Sequence, residues 1–240
     1  MTGTAPPTLL PGFFVTGTDT GAGKTAIASA LLRLAVRAGQ RFIPFKPVET
    51  GCVPEAADAH ALWQAAARPV PLDQVTAYAF SQPAAPAVAA ASAGARIDID
   101  TIIARAQSLR RHGTGLVVEG AGGLLVPYLP GVTAADLAAR LRLPLLLVGR
   151  AALGTINHTA LTINEIRRRA LPLAAVILVE TTPDGHDPAL DSIRQIEAVS
   201  GTRPLGVVRF VEGADPDRLA EALLAAVGPT AVQELLTGSS

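Results

Sequence analysis

An α/β fold, with a mostly parallel sheet of six to seven strands and helices on both faces, is what this sequence predicts. Three observations carry the reading. Short apolar, β-rich runs alternate with segments of helical period along all 240 residues, the pattern of βαβ units around a parallel sheet. Hydrophobic residues make up 49% of the chain and charged residues 17%, which is enough apolar side chain for a sizeable core and excludes general disorder. No fixed-period repeat is present, and the one low-complexity stretch, 83–94, is rich in Ala and Pro rather than polar as linkers usually are. One domain over 1–240 is therefore expected, with the last ten residues and the extreme termini frayed.

Taken in order, strand 12–16 leads into helix 24–38, and strand 41–46 ends in Lys46, where Pro47 is expected to stop the ladder. Helix 56–67 follows. The stretch 83–94 reads as a Pro-started loop and short helix over the sheet edge, since Ala favours helix. Helix 99–111 has Asp98 or Asp100 as its start signal and precedes strand 115–119. Helix 133–141 opens with Thr133 and Asp136, a capping-box variant. Strand 144–148, helix 157–169, strand 174–180, helix 188–199 announced by Asp187-Pro188, strand 205–209 and helix 216–226 complete the chain.

Twenty Lys+Arg balance twenty Asp+Glu, so no basic field is available for nucleic acid or an anionic membrane, and small molecules or protein are the expected partners. Apolar runs such as 143–148 fall far short of the roughly 20 residues that span a bilayer. The single cysteine, Cys52, cannot form an internal disulfide. The opening Met-Thr-Gly-Thr-Ala-Pro-Pro lacks the charged and long apolar regions of a signal peptide. A reducing, cytoplasmic setting is the expectation. Of the basic residues only Lys24 and Lys46 are lysine, which suggests two positions that need a compact ammonium rather than a planar guanidinium.

Both lysines sit in motifs. The strand Phe13-Phe14-Val15-Thr16 runs into Gly17-Thr-Asp-Thr-Gly-Ala-Gly-Lys24-Thr25 and then into a helix, the order of a phosphate-binding P-loop. Glycines let backbone N–H groups turn toward an anion and the helix N-terminus adds its dipole. Lys24 can reach the β- and γ-phosphates, and the Thr25 hydroxyl can ligate Mg²⁺. The nucleotide-binding stretch is thus Thr20, Gly21, Ala22, Gly23, Lys24, Thr25 and Ala26. Gly17 lies six residues before Gly23, one more than the usual P-loop spacing, so the loop is one residue longer. The fold class narrows to P-loop NTPase-like.

Lys46, at the end of a neighbouring strand, should line the same crevice, because ligands in open α/β sheets sit beyond strand C-termini. Two ammoniums on one phosphate suit phosphoryl transfer, which depends on positioning and charge neutralisation. Thr50 follows in the same loop. Leu116-Val-Val-Glu119-Gly-Ala-Gly-Gly123 delivers a carboxylate at a strand edge, with Gly120, Ala121 and Gly122 allowing close backbone approach to a nucleotide. Glu119 would hold Mg²⁺ directly or through water. Asp58 is a second candidate, its alternative role being a helix-start acid near the dipole. Cys52 has no histidine pairing and reads as inert.

These residues resemble the dethiobiotin synthetase family. The resemblance rests on Gly17-Thr-Asp-Thr-Gly-Ala-Gly-Lys-Thr25 with its longer loop, Lys46-Pro-Val-Glu-Thr-Gly51, Val118-Glu-Gly-Ala-Gly-Gly123 and Leu153-Gly-Thr-Ile-Asn-His-Thr159, and it covers most of the chain. It implies a homodimeric cyclo-ligase that closes a ureido ring on 7,8-diaminononanoate with CO2 and ATP, through a carbamate and a carbamic-phosphoric anhydride. Lys24 and Lys46 would then be catalytic, and Thr25, Asp58 and Glu119 would hold Mg²⁺. Thr20, Lys46, Thr50, Gly154 and Asn157 would meet the substrate, whose distal carboxylate the family holds at the dimer interface. His158 is a helix-start residue in this account, not a base.

Members of that family that select adenine commonly carry Asn near the end of strand 174–180. Here Val179 or Glu180 occupies the place. Val neither donates nor accepts, and ionised Glu only accepts, so weaker selection of ATP over other nucleoside triphosphates is expected, with Arg209 and Phe210 as alternative base contacts. Two rival readings share the phosphate loop but fit the rest of the chain less well. Partition-type ATPase switches acting on a protein partner carry a signature lysine where this chain has Asp19. Amidoligase relatives normally continue into a glutaminase domain.

Overall fold

The computed structural model of the chain describes residues 11–183 and 189–238. Strand β1 (Gly12–Gly17) is buried along its whole length and leads through a glycine-rich loop to α1 (Lys24–Arg37). Next come β2 (Phe42–Thr50), α2 (Ala57–Ala65), β3 (Thr76–Phe80), α3 (Pro86–Ser92), α4 (Ile99–Arg110) and β4 (Gly115–Gly123). A hairpin, β5 (Pro127–Leu129) with β6 (Val132–Thr133), precedes α5 (Ala134–Leu141), β7 (Leu145–Arg150), α6 (Thr155–Arg168) and β8 (Leu173–Val179). The chain closes with α7 (Ala189–Ser200), β9 (Val207–Val208), α8 (Pro216–Val227) and α9 (Pro229–Thr237).

Among the described residues the main sheet has seven strands in the order β3-β2-β4-β1-β7-β8-β9, and each neighbouring pair is parallel. Because side chains alternate across a strand, the sheet feeds two cores. Phe14, Leu116, Val118, Leu145 and Leu147 pack on one face with residues of α3 to α7. Phe13, Val15, Val117, Leu146 and Val148 pack on the other with residues of α1, α8 and α9 and with Leu62 and Ala65 of α2. Helices on both faces are what a parallel sheet requires. Among the described residues no single helix is long and apolar enough to cross a membrane.

Several elements depart from the sequence-based expectation. Pro47 does not stop the ladder. β2 pairs with β4 from Phe42 to Phe45 and with β3 from Lys46 to Thr50, and the Lys46 N–H donates to the Val75 carbonyl. By alternation, Pro44 faces the β3 side before β3 begins and Pro47 faces the β4 side after that pairing ends, so neither ring removes a ladder bond. β3 itself was not expected from the sequence, nor was the hairpin. The stretch expected to fray is largely α9, which Pro229 opens and Gly238 closes with φ +67°. α6 begins two residues before the expected start, and Asp98 rather than Asp100 caps α4 by accepting the Asp100 N–H. The Thr133–Asp136 capping box is present, and α3 lies inside 83–94. Asp187, Pro188 and His186 lie outside the described residues.

Candidate functional site

Three neighbouring strands bring the charged groups to one edge of the sheet. Phe45 pairs with Val118, so the next residues, Lys46 and Glu119, stand side by side where β2 and β4 part. Val15 pairs with Glu119, and the loop that follows β1 therefore begins alongside. The resulting cavity has a volume of about 600 Å³ and is lined, among others, by Thr20, Gly21, Gly23, Lys24, Thr25, Lys46, Thr50, Asp58, Glu119, Ala121 and Gly122. Motifs separated by up to about a hundred residues thus share one site.

Inside it the polar groups form a closed cluster. Lys46 Nζ donates to Asp58 Oδ2 at 2.8 Å and also to Glu119 Oε1. Thr25 Oγ1 lies 3.1 Å from Asp58 Oδ1 and 3.0 Å from Glu119 Oε1. Lys24 Nζ donates to the Asp19 carbonyl at 3.0 Å. The side chains of Lys46 and Glu119 are only 4% and 1% exposed, whereas Asp58 is 41% exposed. Glu119 Oε2 is buried without a hydrogen-bond partner among the described residues.

Burial and neighbouring charge compete at each group. Burial alone would lower the Lys46 ammonium, but Glu119 and Asp58 outweigh it and hold the group above its ordinary value. Lys24 goes the other way: burial, aided by repulsion from Lys46, lowers it. Burial lifts the Glu119 carboxyl despite the pull of Lys46 and Lys24. Burial also pushes Asp58 upward, but Lys46 and the Thr25 hydroxyl bring it below the usual range.

Not every expected residue faces this cavity. Ala22 is fully buried in the core. Gly120 is required by packing, since a Cβ there would come within 2.9 Å of the Phe14 ring. Val179 lies under the phosphate loop: Gly23 has φ +94°, and a Cβ on it would meet Val179 Cγ1 at 2.8 Å. Glu180 is buried and accepts from Arg209 Nη1 at 2.6 Å, an ion pair just beyond β8 whose members do not line the central cavity. Gly154 and Asn157 line a second, mostly apolar cavity of about 890 Å³ with Leu153, Leu161 and Val199. Leu153 there is fully exposed.

Two contributors were not anticipated. The Tyr128 phenol, in the hairpin, accepts the Ala121 N–H at 2.9 Å and steadies the strand end beyond Glu119; burial pushes it up to about 12. Glu49 accepts the N–H groups of Asp58 at 2.8 Å and Ala59 at 2.9 Å. The sequence signals only that a cap must come from elsewhere: Ala56, before α2, has no side-chain oxygen with which to supply one. Among the described residues no group of three or more His, Cys, Asp or Glu is arranged for a metal, so the oxygen donors here are two carboxylates and the Thr25 hydroxyl.

A family model described as an AAA domain matches residues 11–218. The chain is 44% identical over 199 residues to the ATP-dependent dethiobiotin synthetase of Anaeromyxobacter dehalogenans (strain 2CP-C), covering 82% of this chain and 89% of the relative. It is 37% identical over 207 residues to the enzyme of that name from Bacillus thuringiensis (strain Al Hakam), covering 85% of each. Among solved structures, the MinC:MinD cell division protein complex of Aquifex aeolicus includes a chain similar at a TM-score of 0.55 and 12% identity, with 96% of each chain covered. That likeness shows a shared fold alone.

Proposed function

The chain belongs to the dethiobiotin synthetase family, and from that premise we propose that it closes a ureido ring on 7,8-diaminononanoate with CO2 and ATP. The observation that carries the reading is the convergence of two buried ammoniums, Lys24 and Lys46, with Thr25, Asp58 and Glu119 on one cavity at the sheet edge. A partition-type switch would carry its signature lysine at position 19, where this chain has Asp. The additional lysine from β2 suits a reaction in which a second anion, a carbamate, meets the γ-phosphoryl group.

The proposed sequence starts with one amine of the substrate adding to CO2 with loss of a proton. A carbamate oxygen then attacks the γ-phosphorus, and ADP leaves with the electrons of the broken P–O bond. The neighbouring amine attacks the carbonyl carbon of the carbamic-phosphoric anhydride, phosphate departs, and loss of a proton leaves the ring. Lys46, held protonated by Glu119 and Asp58, orients the carbamate and balances its charge, and Lys24 exchanges the Asp19 carbonyl for phosphoryl oxygens. Thr20 and Thr50 supply hydroxyls to the substrate. The backbone from Gly21 to Ala26 and at Ala121 and Gly122 holds the nucleotide.

The donor set fits Mg²⁺. Thr25 Oγ1 lies 3.0–3.1 Å from both carboxylates, Glu119 Oε2 is buried and unpartnered, and hard oxygen ligands with few protein carboxylates are what magnesium takes. When bound by Thr25, Asp58 and Glu119, the ion would neutralise charge on the β- and γ-phosphates. The homodimer belongs to this proposal as well. The N-terminus of α6, with Gly154 as its cap at φ +91° and no side-chain cap, suits the distal carboxylate, and the exposed Leu153, Leu161 and Val199 offer an apolar face for a second copy.

The test is product analysis. Protein incubated with the diamine, ATP, Mg²⁺ and ¹³C-bicarbonate should yield a product one ureido carbonyl heavier than the diamine, with the label in that carbonyl. ATP hydrolysis without labelled product would sink the reading and leave a nucleotide switch.

A further inference from the structure

We propose that Glu49 is a positioning residue of this site: reaching from β2, its carboxylate caps the N-terminus of α2 and thereby fixes where Asp58 meets Thr25 and Lys46. The inference rests on reading that cluster as the reacting site. Helix α2 starts without a cap of its own, because the residue in that place is Ala56, which makes no side-chain cap hydrogen bond. The first N–H groups of any helix lack intrahelical partners, and a normal N-cap satisfies those two or three positions further on. In α2 these are Asp58 and Ala59, and Glu49 takes both. Its Oε1 accepts from Asp58 N at 2.8 Å and its Oε2 from Ala59 N at 2.9 Å.

The cap is largely buried, at the wall of the central cavity that Glu49 and Asp58 both line. Glu49 is 5% exposed and Ala59 1%, so water is poorly placed to replace the carboxylate. The same residue whose N–H is held, Asp58, sends its side chain to Thr25 Oγ1 and Lys46 Nζ. Strand β2 therefore grips α2 twice, through Lys46 on the Asp58 carboxylate and through Glu49 on the backbone that carries it. A negative group at a helix N-terminus is also favoured by the helix dipole. Glutamine would keep one acceptor but turn an NH2 toward an N–H donor, and alanine would leave both donors unmet.

The experiment compares Glu49→Ala with Glu49→Ala/Ala56→Ser, since serine at position 56 offers a local, neutral cap to the same two N–H groups. Two readouts are used, neither requiring turnover. One is amide hydrogen exchange over residues 57–65 of the nucleotide-free protein. The other is the Mg²⁺ concentration for half-maximal binding of a non-hydrolysable ATP analogue, which loss of a group orienting a metal ligand shifts by about 10–100-fold.

Glu49→Ala should speed exchange in α2 and raise the Mg²⁺ requirement by about tenfold or more, and Ala56→Ser should reverse most of both. In an Asp58→Ala background, Glu49→Ala should leave the Mg²⁺ requirement unchanged, because its effect runs through Asp58. Unaltered exchange in Glu49→Ala would overturn the proposal. So would a Mg²⁺ shift that persists when Ala56→Ser restores protection, or one that adds in full to Asp58→Ala. A protein that binds the analogue but makes no product from the diamine would refute the proposed function while leaving this test intact.

Discussion

Replacing Lys46 with methionine keeps most of the aliphatic stem but removes the cation that touches the buried Glu119. That carboxylate would retain the Thr25 hydroxyl at 3.0 Å, while Oε2 already has no partner. Removing one member of a buried ion pair costs about 3–5 kcal/mol, because the remaining charge is uncompensated. For a chain of this size each kcal/mol moves the thermal midpoint by roughly 2–4 °C, so the loss should be on the order of 6–20 °C. The deficit should also grow with pH. Burial raises Glu119 in the folded protein, and without Lys46 it rises further. The unfolded chain then releases its proton first, and stability falls as pH increases above the ordinary carboxylate range. Thermal unfolding by circular dichroism of nucleotide-free protein in chelator, at pH 5 and pH 8, measures both effects. Adding Glu119→Gln to Lys46→Met should recover stability, and so should Mg²⁺ if it binds beside Glu119. A midpoint within about 2 °C of the parent at both pH values, under one kcal/mol on the same scale, would refute the buried-pair reasoning.

Other outcomes follow from the same geometry. Lys46→Ala should abolish most turnover while leaving nucleotide binding measurable; equal loss of both would make the lysine a binding or structural group. Gly23→Ala should cost about 1–2 kcal/mol for left-handed backbone alone, with further loss from contact with Val179. Calorimetry should show weakened nucleotide binding that Val179→Ala only partly restores, because the backbone strain remains; full restoration would put the whole effect in the contact. Leu153→Asp should shift sedimentation from dimer to monomer and raise the KM for the diamine more than that for ATP, and a variant that stays dimeric would remove Leu153 from the interface. With no amide at Val179 or Glu180, turnover with CTP and GTP should approach that with ATP, and Glu180→Asn should widen the gap; ratios as steep as those of an Asn-bearing relative would count against the argument.

The phosphate loop, Lys46 and Glu119 were legible because each belongs to a local pattern in which strand, glycine and charged residue are adjacent in the chain. Their convergence was legible too, since parallel strands deliver their C-terminal ends to one edge. What stayed hidden depends on partners distant in sequence. Glu49 is nine residues from Asp58, and nothing in Lys46-Pro-Val-Glu-Thr-Gly51 alone says that its carboxylate caps a helix. Pro47 read as a strand breaker because the change of neighbour from β4 to β3 is a property of the sheet. β3 is a half-exposed edge strand, and its Thr-Ala-Tyr-Ala-Phe lacks the apolar run that marked the central strands. Gly120 reads as a point of ligand approach, and its need to make room for Phe14 is not visible in the sequence. The polar Thr-Gly-Ser-Ser end reads as a frayed tail, while α9, opened by Pro229 and closed by Gly238, is held by burying Val232, Leu235 and Leu236.

The most direct test of the proposed chemistry follows oxygen. In a rapid single turnover with ¹⁸O-labelled bicarbonate, ATP, Mg²⁺ and 7,8-diaminononanoate, the carbamate oxygen that attacks the γ-phosphorus should leave with it, and inorganic phosphate should carry one ¹⁸O. Phosphate released with oxygen from solvent water alone would contradict the account, since water rather than a carbamate would then have taken the phosphoryl group.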